Sequence, residues 1–201
     1  VEAEVPLSIF TAFVSAPTGA TQLAKVQEAK QKYDPRTDFY KPLREATQRS
    51  IFAHDPVHVH RAAAKASPTR REQYLLCAGG LDKWLKKTDY ELVERLSSIK
   101  YSCGDLTIIV TTEFLLRIGG EAALVKPFLR QDELTRDAKN AFSFLVAETH
   151  GKLHGAEPLL LVAREAKLRK GFPTKGAATI VRTSALTHGV WTDNLLALPR
   201  Y

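Results

Sequence analysis

Long apolar runs are missing from this 201-residue sequence. The longest uninterrupted one, Leu159 to Ala163, falls far short of the roughly 20 residues that a bilayer-spanning helix needs. No basic stretch, apolar core and small-residue cleavage site opens the chain, so neither a membrane span nor a secretion signal is expected. Cysteine is scarce too. Cys77 and Cys103 lie far apart with no Cys-x-x-Cys spacing, which excludes a disulfide framework or a four-thiolate zinc site and fits a reducing cytoplasm. Methionine is absent, where about four would be ordinary. Four common enzyme signatures are also missing: the Gly-x-Ser-x-Gly elbow, the Walker phosphate loop, the Gly-x-Gly-x-x-Gly fingerprint and the His-Glu-x-x-His helix.

What remains has the composition of a globular domain, 44% hydrophobic and 25% charged, with 8% aromatic residues. At this length folding buries roughly 70% of the unfolded chain's surface, so a sizeable core needs no disulfide or structural metal. Lys and Arg number 29 against 22 Asp and Glu, a net charge of +7, which makes an acidic partner such as nucleic acid or another polyanion plausible.

The first hundred residues read mainly as helix and loop. After the Pro17-Thr18-Gly19 turn signal, Leu23, Val26 and Ala29 share one helical face within 20–33. A second helix starts at Pro42 and carries Leu43, Ala46 and Thr47 toward Phe52. Residues 54–68 read as a loop. A third helix opens with Ser67 or Thr69 as cap, with Glu72 placed as in a capping box, and carries Tyr74, Leu75, Cys77, Leu81 and Trp84. Gly79-Gly80 inside it weakens that assignment.

The second half changes period. Alternation through Leu106, Ile108 and Val110, then Phe114, Leu116 and Ile118, followed by Gly119-Gly120 and a return over 121–129, predicts a three-stranded antiparallel meander with a break near Thr112-Glu113. Leu134, Ala138, Ala141, Phe142, Leu145 and Val146 predict a helix over 132–150. Residues 158–164 read as a buried strand and 177–181 as another. A last helix carries Leu186, Val190, Trp191 and Leu195 and ends before Pro199. The expected fold is α+β, one domain over 1–201, mainly helical to residue 100. Its antiparallel or mixed sheet comes mainly from the second half and is flanked by helices from both ends.

The order helix, three strands, helix, strand resembles the restriction-endonuclease-like nuclease core. That resemblance implies an acid on one strand and an acid-x-lysine triplet on the next, the acids holding Mg²⁺ and the lysine supporting the nucleophile. Glu113 fills the first slot and Lys126 the last, but Leu124 stands where the second acid belongs. Strand alternation sets Lys126 beside Ala122, Leu124 and Phe128, where an unpaired ammonium is costly. The alternative is a stem snorkelling at a sheet edge.

His54, Asp55, His58 and His60 supply metal-ligand types close together, though short loop clusters of this kind are commonly just solvated. His150 and His154 stand four apart, and Gly151 and Gly155 give them a cap or turn role. Two segments are basic: Arg164, Lys167, Arg169, Lys170, Lys175 and Arg182 against Glu165 alone, and Arg61, Lys65, Arg70 and Arg71 with no acid among them. Either would neutralise phosphates. The competing reading is a solvated loop, because stacking aromatics are sparse, Phe172 standing alone in the longer segment.

Several phrases are carried together: Phe10-Thr11-Ala12-Phe13-Val14, Lys25-Val26-Gln27-Glu28, Tyr33-Asp34-Pro35-Arg36-Thr37-Asp38-Phe39-Tyr40-Lys41-Pro42-Leu43-Arg44-Glu45-Ala46, Leu116-Arg117-Ile118-Gly119-Gly120 and Val125-Lys126-Pro127-Phe128-Leu129. In these the chain resembles a broad family of uncharacterised bacterial proteins with no established activity. The resemblance implies a cytoplasmic bacterial domain and transfers no catalytic residue. Three roles follow as expectations: non-catalytic binding of nucleic acid or another polyanion, a Mg²⁺-dependent nuclease-like enzyme using Glu113 and Lys126, or a structural or protein-interaction domain.

Overall fold

The computed structural model describes residues 3–17, 19–30, 38–130, 134–171 and 175–197, the side chains of Lys30, Lys175 and 194–197 excepted. The phrase from Tyr33 to Thr37, Phe172 and the side chains of Lys175 and Leu195 therefore lie outside the described residues. In chain order the elements begin β1 (Ala3–Pro6), α1 (Leu7–Ser15), α2 (Gly19–Lys30), α3 (Lys41–Ala53), α4 (Val57–Ala64) and α5 (Pro68–Lys87). Next come β2 (Tyr90–Arg95), β3 (Ile99–Cys103), β4 (Leu106–Val110), β5 (Phe114–Ile118) and β6 (Glu121–Phe128). The chain continues through α6 (Arg136–Val146), a π turn (Ala147–Gly151), α7 (Lys152–His154), β7 (Glu157–Val162), a 3-10 turn (Ala163–Glu165), β8 (Lys167–Lys170) and α8 (Lys175–Ala197). The fold is α+β, with strands mostly in the second half and helices on both sides of them.

The strands form two sheets, ordered β1-β4-β3 and β2-β5-β6-β7-β8. In the larger one β2, β5 and β6 run antiparallel, β6 and β7 run parallel with α6 between them in sequence, and β8 returns antiparallel at the edge. Gly119 and Gly120, at φ 58° and 87°, make the expected two-residue hairpin between β5 and β6. Successive side chains of the central strands then enter opposite cores. Phe114, Leu116, Ala123, Val125 and Leu161 pack with residues of α3, α4 and α5, while Leu115, Leu124, Leu160 and Val162 pack with residues of α1, α6 and α8. That two-sided burial explains why β7 reads as a continuous apolar run rather than an alternating one.

Several expectations need correction. The meander over 105–129 is divided: β4 leaves to pair with β1 and β3, and β2 takes the place beside β5. The turn out of one sheet into the other occurs at the predicted break, where Thr112 and Glu113 are buried. β2 was hidden by a bulge, since Leu92 faces Leu116 and Glu94 faces Leu115, leaving Val93 extra and outward. Residues 54–68 are not a loop but contain α4, seated by Val59 and Ala63 four residues apart. Residues 177–181 belong to α8, whose buried face is Ala177, Val181 and Ala185, so that Leu186 and Val190 are exposed. A short apolar run fits strand and helix equally, and here the spacing of four decides. Ser67 caps α5 without a side-chain bond to the helix backbone; its hydroxyl instead meets that of Thr69 at 3.0 Å, so no capping box forms. Leu75 in that helix faces solvent.

Candidate functional site

The break between β4 and β5 places the polar residues Thr112 and Glu113 in the interior. Alternation from Leu115 back to Glu113 directs that carboxylate to the same side of the sheet as Leu124, Lys126 and Phe128. There Lys126 Nζ donates to Glu113 Oε1 at 3.1 Å, to Oε2 at 3.4 Å and to the Thr111 carbonyl at 3.0 Å. The ammonium thus shares one donor direction between the two carboxylate oxygens and gives another to the carbonyl. The pair is largely withdrawn from water, with side-chain exposures of 16% and 7%. Lys126 is neither unpaired nor at a sheet edge, as β6 lies between β5 and β7. The two residues singled out from the sequence are brought together, and Leu124, wholly buried, adds no second acid.

Next to this pair the backbone holds a group that spacing alone did not reveal. The carbonyl of Val110, immediately before Thr111, takes His150 Nε2 at 3.3 Å. His150 reaches it because the helix after α6 widens into a π turn, a register change that re-aims one side chain and is frequent at functional sites. Thr149 Oγ1 bonds the Leu145 carbonyl at 2.7 Å within the same turn. Thr112 Oγ1 and His150 Nδ1 are both buried without a hydrogen-bond partner among the described residues. His154 ends α7 before Gly155 at φ 59°, consistent with its expected cap position; it stacks on His150 at 6.4 Å and lies 4.0 Å from Glu94.

Burial lowers the His150 pKa below its ordinary value, and the neighbouring His154 adds to the effect while the Val110 bond opposes it. A histidine held neutral in the fold binds fewer protons than it does unfolded, so stability rises with pH across the interval between the two values. We expect the thermal midpoint to be at its plateau above the ordinary His value of about 6.5 and to fall as pH drops through the lower folded value. His150→Gln should flatten that part of the profile, and an unchanged profile in the variant would contradict this assignment.

The other sequence candidates are dispersed. His54 caps α3 at φ 53° and stacks on Tyr90 at 4.6 Å; His58 and His60 sit two apart on α4 and so point to different sides; Asp55 Oδ1 accepts from Val57 N at 2.9 Å. Among the described residues no three His, Cys, Asp or Glu side chains are grouped to hold a metal ion. The longer basic segment is not a solvated loop but part of a sheet and a helix, and three of its six basic residues meet two carboxylates. Arg169 meets Glu165 at 2.6 Å, Arg164 lies 3.9 Å from the same carboxyl, and Lys170 pairs with Glu157 of β7. The Arg169 bond holds the Glu165 carboxyl below its usual range. Lys167 is exposed on β8, whereas Arg182 is on α8, where its charge acts on Tyr101 and Cys103 of β3.

The shorter basic segment behaves differently. Arg61 in α4, Lys65 at its end and Arg71 in the first turn of α5 are exposed and make no ion pair among the described residues. Arg70 lies over the Phe39 ring at 5.4 Å. Asp38 accepts from the backbone of Tyr40 and Lys41 and pairs with Arg44 at 2.9 Å, so it starts α3. Cys77 is buried against Leu129, and burial pushes its thiol up to about 11, which makes it a packing residue rather than a nucleophile. Searches of protein-family models, of curated proteins and of solved structures found no match to this chain.

Proposed function

We propose that the protein binds nucleic acid or another polyanion without cutting it, on a scaffold related to the nuclease core. The observation that carries this reading is the state of Lys126. Its charge is answered by the Glu113 carboxylate, with a further donor given to the Thr111 carbonyl, and the neighbouring strand position that would complete a cation site is a buried leucine. The residues present do not fit a Mg²⁺ centre, which draws on carboxylate oxygens that are not already neutralised by an ammonium. The scaffold relation is supported by α5, β2, β5, β6, α6 and β7, a helix, three antiparallel strands, a helix and a strand parallel to the third, with β3 and β4 of the other sheet inserted in sequence between β2 and β5. The +7 charge supports an anionic partner.

A second reading, a nuclease-like enzyme with an atypical site, is favoured by one observation: Glu113 and Lys126 meet beside the buried, unpartnered Thr112 hydroxyl. One experiment separates the two. In a gel-shift assay at about 50 mM salt, where phosphate contacts are strong, labelled nucleic acid should be retarded and recovered intact with or without Mg²⁺. Absence of retardation removes the proposal, and Mg²⁺-dependent cleavage that disappears in Lys126→Met replaces it with the enzyme.

A further inference from the structure

We propose that the cleft between the residues leading into α3 and the first half of α5 binds a guanidinium group, held by the Glu72 carboxylate and the Gln73 side-chain oxygen against Phe39 and Tyr40. The site goes beyond the polyanion-binding reading and stands independently of it. The cleft has a volume of about 290 Å³ and is lined by Phe39, Tyr40, Thr69, Glu72, Gln73 and Leu76. That is the small end of ligand clefts, room for a head group on a short stem rather than for a whole cofactor. Gln73 is the residue that points to a ligand. It is 7% exposed, and its amide can sit only one way round, because Nε2 donates to the Leu129 carbonyl at 2.6 Å and a flipped amide would set oxygen against oxygen. The side-chain oxygen is then left over. It accepts no hydrogen bond among the described residues, yet it is not sealed from solvent, and Gln73 opens onto the cleft. A nearly buried acceptor without a donor calls for one from outside the chain.

Glu72 sets the charge of that donor. Its side chain is exposed, lines the same cleft and meets no cation among the described residues, and no Lys, Arg or His lines the cleft. The Thr69 hydroxyl is engaged with Ser67. Two open acceptors with no lining cation reject an anion and favour a cation that carries several N–H groups. The aromatic wall selects among cations. Phe39 meets Tyr40 at 4.7 Å and Tyr74 at 6.0 Å, both edge to face, and Tyr74 Oη donates to the Phe39 carbonyl at 2.6 Å, so the rings are set before any ligand arrives. A planar guanidinium stacks on such a surface while its fork of donors meets two acceptors at once, whereas an ammonium has no plane to stack and holds its water more strongly. The fold already contains one such pairing: the guanidinium of Arg70, which is not a lining residue, lies over the Phe39 ring at 5.4 Å. A second guanidinium nearby therefore depends on Glu72 to offset the charge of the first. The group can arrive on a free small molecule or on an arginine side chain of a peptide, with the same chemistry in the cleft.

The test is an NMR titration of the isotope-labelled full chain with butylguanidine, with butylamine as an ammonium on the same stem, and with a capped Gly-Arg-Gly peptide. Butylguanidine should bind saturably with a Kd of about 1 mM, ordinary for a ligand of so few atoms, and should shift the amides of 39–40 and 69–76. Butylamine should bind about tenfold more weakly. Glu72→Gln changes one exposed side chain and should weaken butylguanidine by about tenfold. Gln73→Leu should weaken it as well, and if that variant unfolds in a thermal melt because the Leu129 bond is lost, Glu72→Gln keeps the test decisive. Peptide binding as tight as that of butylguanidine supports the inference with an arginine of a partner as the source, and weaker peptide binding supports it with a free small molecule. No saturation by either guanidinium at about 20 mM, well above the expected constant, overturns it. So do equal affinities for butylguanidine and butylamine, the mark of charge alone, and so does an affinity that Glu72→Gln leaves unchanged. None of these outcomes depends on whether the chain retards nucleic acid.

Discussion

Gly80→Ala is expected to destabilise the protein by about 3 kcal/mol through overpacking, while Gly79→Ala, one residue earlier in the same helix, is expected to stabilise it by up to about 1 kcal/mol through helix propensity. A Cβ on Gly80 would stand 1.9 Å from the Ala163 carbonyl oxygen and 2.8 Å from the Arg164 carbonyl carbon. Both are backbone atoms of the turn that ends β7, so no side chain can swing aside, and α5 would have to lift from the sheet. Around Gly79 nothing lies within 4 Å. The same chemical change therefore has opposite signs at adjacent positions. Urea unfolding reads the difference as midpoints that move in opposite directions with an unchanged slope. Equal shifts in the two variants would mean that α5 does not seat against the β7 turn.

That glycine pair also marks where the sequence was legible. Read alone, Gly79-Gly80 argues against a helix, and propensity gives no reason to keep it. The helix persists because Tyr74, Cys77, Ala78, Leu81, Trp84 and Leu85 are buried in one core, and Gly80 lies where that core's backbone comes closest. Elements with a full apolar face were readable in this way: α3 from Leu43, Ala46 and Thr47, α6 from its long apolar stripe, and β5 and β6 from alternation around Gly119-Gly120. Apart from α1, nine residues with Leu7, Phe10 and Phe13 buried, the elements that were missed are short or interrupted. β1 and β3 are four and five residues long and gain their stability from β4, while α4 has only Val59 and Ala63 as buried anchors.

The site was legible only in part, for a related reason. Glu113 and Lys126 were visible as residue types at strand positions, because the nuclease resemblance asks for an acid and a lysine on successive strands. Their mutual neutralisation was not visible, since it depends on β4 turning away at Thr111 to present a carbonyl to Lys126. His150 depends on a π turn, and no apolar period encodes that widening. Phe39 reaches Arg70 through the packing of α3 and α5, a meeting of segments with no shared pattern.

Removing either member of the Glu113–Lys126 pair should be far more damaging than removing both. Glu113→Leu leaves an ammonium that is 16% exposed with the Thr111 carbonyl as its remaining acceptor, and Lys126→Met leaves a carboxylate that is 7% exposed with no cation. Each single change is expected to cost about 3 kcal/mol, the usual penalty for stranding a buried charge. The double variant should fall within about 1 kcal/mol of the original, because two apolar side chains of similar length need no solvation. A double-mutant cycle from urea unfolding measures the coupling between them. Singles costing under about 1 kcal/mol with additive effects would show a pair that water already screens. Combining the cycle with the gel-shift assay links it to function: a scaffold pair leaves nucleic-acid affinity unchanged in the folded double variant. If the double variant is stable and affinity disappears, Glu113 and Lys126 take part in recognition themselves, and the bound nucleic acid must reach the break between the two sheets.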